Sequence, residues 1–107
     1  TKEDEVEALA RAALAAFGRI DVWVNNVGTG VFGAFADAPV SLHRKVVEIN
    51  LIGTMHGCAA VLPVFKRQGG GRLINMVSMG GWSPTPYAAA YTASKFGLRG
   101  FTASLRE

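Results

Sequence analysis

Ile20-Asp21-Val22-Trp23-Val24-Asn25-Asn26-Val27-Gly28 decides the fold of this chain. Its apolar run predicts a strand over residues 20–26 that is buried on both faces, as the strands of a parallel sheet are. Upstream, Thr1-Lys2-Glu3-Asp4 has the pattern of a capped helix start with acids in the first turn. Val6, Leu9, Ala10, Ala13 and Phe17 follow at helical spacing, and Gly18 supplies the stop. Downstream, residues 27–40 are Gly-rich and irregular and end at Pro39, and a helix is expected from about Ser41 to Lys66. Residues 69–71, all glycine, break it; a second strand is expected over 72–78, a loop with Pro84 and Pro86 over 79–87, and a last helix from near Tyr87. The order α-β-α-β-α points to an α/β fold whose parallel strands are joined by right-handed helical crossovers. Two such strands alone leave unpaired edges on both sides, so the chain by itself is expected to be marginally stable.

The second strand and the last helix carry chemistry. The run reads Ser78…Tyr91-Thr92-Ala93-Ser94-Lys95. Tyr91 and Lys95, four residues apart on a helix, lie on one face, one turn above each other. A free phenol ionises near pH ~10, and a cation held beside a phenol favours the phenolate. Such a pair is what a general acid/base working near neutrality needs. Ser78 ends the second strand, where its hydroxyl can meet the phenol if the loop brings strand end and helix start together. Asn50 sits inside the long helix although its side chain competes for backbone hydrogen bonds.

Taken in order, Asn25-Asn26-Val27-Gly28 after a strand, Asn50 in a helix, Ser78, and Tyr91-x-x-x-Lys95 resemble the single-domain branch of the short-chain dehydrogenase/reductase family. That family's pattern is Asn-Asn-Ala-Gly, a helix Asn, Ser, then Tyr-x-x-x-Lys. The resemblance covers essentially the whole chain. It implies a Rossmann-like doubly wound fold, NAD or NADP as cofactor, and hydride transfer between the nicotinamide and a carbonyl or secondary alcohol. By resemblance, Tyr91 is the general acid/base, Ser78 binds the substrate oxygen, and Lys95 assists Tyr91 and holds the nicotinamide ribose. A disturbed helix at Asn50 would let its backbone bind a water linked to Lys95. Asn25, Asn26 and Gly28 would tie the central strand to its neighbours and line the adenosine side of the cofactor, where Val27 replaces the usual Ala. The family's Gly-rich phosphate turn, between a first strand and helix, has no counterpart here, and neither does the residue that selects NAD over NADP. Residues 1–107 are therefore expected to be a partial NAD(P)-binding domain, truncated at both ends. Two other readings stand beside this one: a catalytically silent Rossmann-type binding or regulatory module, and a sugar-nucleotide epimerase or dehydratase that shares Tyr-x-x-x-Lys.

Composition excludes several classes. Half of the 107 residues are apolar, so the chain can bury a core. The formal charge of +3 is scattered, and Lys66-Arg67 fits a helix C-terminus better than a nucleic-acid face. Cys58 is the sole cysteine and is expected to be a small core residue; His43 and His56 have no ligand-spaced partners, so no metal is expected. No membrane partner is expected, and a cytoplasmic setting accompanies the family reading. Met79, Trp82, Tyr87, Val31 and Phe32 are candidates to face an apolar substrate. Family members pair the two helices equivalent to residues 41–66 and 87–106 with a second subunit, which implies a homodimer or homotetramer. Gly53, Gly57, Ala59 and Ala60 on the first helix, and Ala88, Ala89, Ala93 and Gly97 on the second, are small enough for close helix approach.

Overall fold

Glu3, Asp4 and Glu5 occupy the first turn of helix α1, Lys2–Phe17, where carboxylates favour the helix dipole. Gly18 ends it in the left-handed region at φ 78°, its N–H bonded to Leu14 O at 2.8 Å. The computed structural model describes residues 2–26, 28–77 and 81–105. Strand β1, Val22–Asn25, pairs in parallel with β2, Arg72–Asn75, in the register Val22↔Arg72, Trp23↔Leu73, Val24↔Ile74 and Asn25↔Asn75. The crossover between them is a 29-residue helix, Val40–Gln68. It divides into α2 (Val40–Val47), a π-helical segment (Glu48–Ile52) and α3 (Gly53–Gln68). Helix α4 spans Ala89–Ser104. The fold is α/β with a parallel sheet.

One core joins α1, α3 and one face of the sheet. Ala10, Ile20, Val61, Val64 and Phe65 are buried, with Leu14, Trp23 and Leu73 packed against them. Gln68 closes its edge by gripping Ile20 with both ends of its amide: Ile20 N–H donates to Oε1 at 3.2 Å, and Nε2 donates to the Ile20 carbonyl. Helix α4 packs instead on α2 and the π segment. By length and composition Val40–Gln68 is long and apolar enough to cross a bilayer, but here it is a core helix with α1 on one part and α4 on another. Pro63 interrupts α3's hydrogen bonding without breaking it, since both Pro63 and Ala59, whose carbonyl loses its donor, are exposed to water.

The structure departs from the sequence reading in three places. Both strands are four residues long, shorter than the spans 20–26 and 72–78. Strand β1 is not buried on both faces: Trp23 and Asn25 point into the core, whereas Val22 and Val24 are 53% and 51% exposed, continuing into exposed Ile74 and Met76. The last helix begins at Ala89 rather than Tyr87, because Tyr87 adopts φ 61°, outside helical geometry. Two of the small helix residues also serve packing within the chain: Gly57 admits Asn25 and Trp23, and Gly97 admits Leu51.

Gly57 gives the sharpest stability test. A Cβ there would overlap Asn25 Oδ1 and lie 2.9 Å from Asn25 Cγ and 3.2 Å from Trp23 Nε1. Overpacking of this kind costs about 1–3 kcal/mol. Gly57→Ala is expected to lower the urea midpoint, followed by tryptophan fluorescence, by a corresponding amount; an unchanged midpoint would show that β1 does not sit this close to α3.

Candidate active site

The centre of the site is an amide. Asn50, in the middle of the π segment, is fully buried. Within this widened stretch of helix Thr54 donates its hydroxyl to Asn50 O at 2.9 Å. The Asn50 side chain reaches the loop after β1: Thr29 N–H donates to Oδ1 at 2.8 Å, and Nδ2 donates to Thr29 O at 2.9 Å. Nδ2 also donates to Ser94 Oγ at 2.9 Å, and Ser94 in turn donates to Tyr91 O at 2.7 Å. A loop, a π turn and the start of α4 are thus joined through one side chain.

Tyr91 and Lys95 lie on the α4 face next to this junction. Lys95 is 5% exposed, and its Nζ lies 5.7 Å from the Tyr91 ring centroid. The ammonium is held from below by Met76 O, just past β2, at 3.1 Å. An ammonium has three donors, so this contact leaves capacity for a ligand rich in hydroxyl groups. Gly28 lies alongside: a Cβ there would sit 3.9 Å from Lys95 Nζ and 3.7 Å from Asn50 Oδ1. The far wall is Phe32, whose ring centroid is 6.2 Å from that of Tyr91. Gly30 makes room for it, since a Cβ there would approach the Phe32 ring to 3.0 Å and Tyr91 Cδ2 to 3.6 Å. Gly33 N–H donates to Tyr87 O at 2.8 Å, so the loop after β1 and the loop before α4 form one rim.

Asn25 works inside the protein. Its Nδ2 donates to Asn75 Oδ1 at 2.8 Å and to Cys58 Sγ at 3.5 Å, and its Oδ1 accepts Trp23 Nε1–H at 2.9 Å. Asn75 continues to Thr102 of α4 at 3.0 Å, so the ends of both strands are tied to α3 and α4. Burial pushes the Cys58 thiol up, partly opposed by hydrogen bonds with Asn75 and Asn25, which keeps it protonated and unreactive.

Of the residues singled out in the sequence, the structure brings together Asn50, Tyr91, Lys95 and Gly28. Asn26 is exposed. Ser78, Val27 and Met79 lie outside the described residues. Trp82 lies not on Tyr91 but on Arg99, whose guanidinium is 4.4 Å from its ring centroid; Arg99 Nε also donates to Gly81 O at 2.7 Å. Sequence reasoning missed Ser94, Thr29 and Gly30. For Ser94 a signal was present: a serine in the middle of a helix is a weak helix former that bonds to a carbonyl one turn back.

A family profile described as short chain dehydrogenase matches residues 1–107. The chain is 38% identical over 101 residues to the 2-dehydro-3-deoxy-L-rhamnonate dehydrogenase (NAD(+)) of a Sphingomonas species, covering 94% of this chain and 41% of that protein. It is 32% identical over 102 residues to the D-beta-hydroxybutyrate dehydrogenase of Rhizobium meliloti, covering 95% and 40%. Among solved structures, the F189W actinorhodin polyketide ketoreductase with NADPH superposes with a TM-score of 0.91 at 40% identity, over 96% of this chain and 40% of that one. Levodione reductase superposes with a TM-score of 0.90 at 34% identity, over 96% and 40%. The chain therefore spans less than half the length of these proteins, and across all of its residues it belongs to the short-chain dehydrogenase family.

Proposed function

We propose that this chain is the catalytic portion of an NAD- or NADP-dependent oxidoreductase acting between a carbonyl and a secondary alcohol. The observation that carries it is the placement of Lys95 Nζ beside the Tyr91 ring, fixed by Met76 O, in a chain of this family. The residues present fit a nicotinamide cofactor. A buried ammonium that spends one of its three donors on Met76 O among the described residues suits the hydroxyls of a ribose, and Gly28 leaves backbone space beside it. When bound, that cofactor supplies or accepts the hydride.

The chain's own residues handle the proton. In reduction Tyr91 donates its phenolic proton to the substrate oxygen, which together with the hydride that the cofactor would supply to the carbonyl carbon gives the alcohol, and in oxidation it takes the proton back. Lys95 offsets the negative charge left on the phenolate, and the nearly complete exclusion of water from Lys95 strengthens that interaction. Ser78 binds the substrate oxygen. The Asn50 backbone carbonyl, which accepts the Thr54 hydroxyl, binds a water in a proton relay toward Lys95. Asn25, Asn26 and Gly28 shape the cofactor side. The relatives' printed names include one protein using NAD(+) and one structure with NADPH, so both cofactors belong to the proposal.

Phe32 and Tyr87, both 71% exposed on the rim beside Tyr91, favour an apolar carbonyl substrate. A symmetric dimer or tetramer built on the Val40–Gln68 helix and α4 accompanies this reading.

In the complete polypeptide, Tyr91→Phe is expected to lower kcat by about a hundredfold or more while cofactor affinity stays near normal, because only the proton donor is lost. Lys95→Ala is expected to damage both turnover and cofactor affinity. Steady-state kinetics over a panel of ketones, with NADH and NADPH, decides this; retention of most of kcat by Tyr91→Phe would refute the assignment. Residues 1–107 alone are expected to bind neither cofactor usefully, since they contain no Gly-x-x-x-Gly-x-Gly turn after a strand to hold the pyrophosphate. Micromolar binding in a fluorescence titration of the purified chain would contradict this.

A further inference from the structure

We propose that Ser94 is a positioning residue for the reaction: its hydroxyl fixes the turn of α4 that carries Tyr91 and Lys95 against the Asn50 amide. The inference rests on the hydride-transfer reading above. Its starting point is a hydrogen-bond direction that has no freedom. Asn50 Oδ1 accepts the Thr29 amide N–H, which can only donate, so the NH₂ end of Asn50 must be the one facing Ser94. That NH₂ can only donate as well, so Ser94 Oγ is the acceptor. The serine's single hydrogen then goes to its other partner, the Tyr91 carbonyl.

Serines inside helices often bond to a carbonyl one turn back, and that contact alone would mean little. Here the serine is 0% exposed, and its oxygen is also bonded to a buried amide from another helix. Asn50 is in turn clasped to both backbone groups of Thr29, next to Gly28 and Gly30. Ser94 is therefore the link through which the loop beside Lys95 sets the height and rotation of the turn bearing Tyr91. Both side chains leave α4 within one residue of the carbonyl or side chain that Ser94 anchors. Removing the hydroxyl leaves one Nδ2 hydrogen of Asn50 buried without a partner and removes the side-chain bond to the Tyr91 carbonyl. The phenol can then drift from the position it needs during proton transfer, where small displacements are costly.

The test uses the complete polypeptide with Ser94→Ala and Ser94→Thr, and Tyr91→Phe as a control. Ser94→Ala is expected to lower kcat by about tenfold, the scale of one neutral hydrogen bond, with cofactor and substrate KM changed by less than about twofold. Ser94→Thr keeps the hydroxyl and is expected to restore kcat to within about threefold of the parent, even where its added methyl lowers Tm. If Ser94→Ala does not fold, Ser94→Cys replaces it, with a similar volume and a weaker hydrogen bond, and an intermediate loss of kcat is expected. A kcat within about twofold of the parent for Ser94→Ala (or Ser94→Cys in its place), or an equal loss in the alanine and threonine variants, overturns the proposal. Should Tyr91→Phe remain active, the hydride-transfer reading fails instead, and the two failures are told apart in one set of assays.

Discussion

A single buried amide holds this half of the fold in its working arrangement. Asn50 has 0% exposure, and a polar group so placed is tolerable when its hydrogen bonds are made. Oδ1 is engaged by the Thr29 N–H, and Nδ2 by Thr29 O and Ser94 Oγ. With Oδ1 and both Nδ2 hydrogens engaged, the loop after β1 and the start of α4 are fixed relative to the long crossover helix. The π-helical turn at Glu48–Ile52 is the local adjustment that accompanies it, and Thr54 supplies a donor to the Asn50 carbonyl there. Such turns are found frequently at functional sites, where the irregularity re-aims a side chain.

A second polar junction acts at the strand ends. Asn25 and Asn75 are register partners on adjacent parallel strands, and their side chains bond to each other at 2.8 Å. Trp23, Cys58 and Thr102 complete the set, which lets the sheet end where it does and places Met76 O under the Lys95 ammonium. The Asn-Asn dipeptide therefore divides its work. Asn25 turns inward and ties the strands, while Asn26 stays exposed.

Much of this was legible in the sequence. The order of elements, the parallel pairing, the stop at Gly18 and the shared face of Tyr91 and Lys95 follow from local periodicity and turn chemistry, which a sequence displays directly. The oddity of Asn50 in a helix was also visible. What escaped depends on partners distant along the chain. Ser94 bonds to a residue 44 positions away, and nothing near Ser94 announces Asn50. The guanidinium of Arg99, which lies over the ring of Trp82, was likewise not announced by the residues around either one. The burial of β1 was misjudged for a related reason. Apolar residues at Val22 and Val24 report that both faces of a sheet are built to be covered, whereas the described helices that bury its side chains, α1 and α3, meet the face of Trp23 and Leu73.

The central claim, that Asn50 clamps the loop after β1 to the helix bearing Tyr91 and Lys95, is most directly tested by amide hydrogen exchange at Thr29. Thr29 lies in an exposed loop outside any helix or strand, where a backbone N–H normally exchanges freely. Donation to Asn50 Oδ1 at 2.8 Å is expected to slow its exchange by about a hundredfold or more in the complete polypeptide, and Asn50→Ala to abolish that protection. Exchange at the unprotected rate in the parent protein would contradict the clamp and the positioning that depends on it.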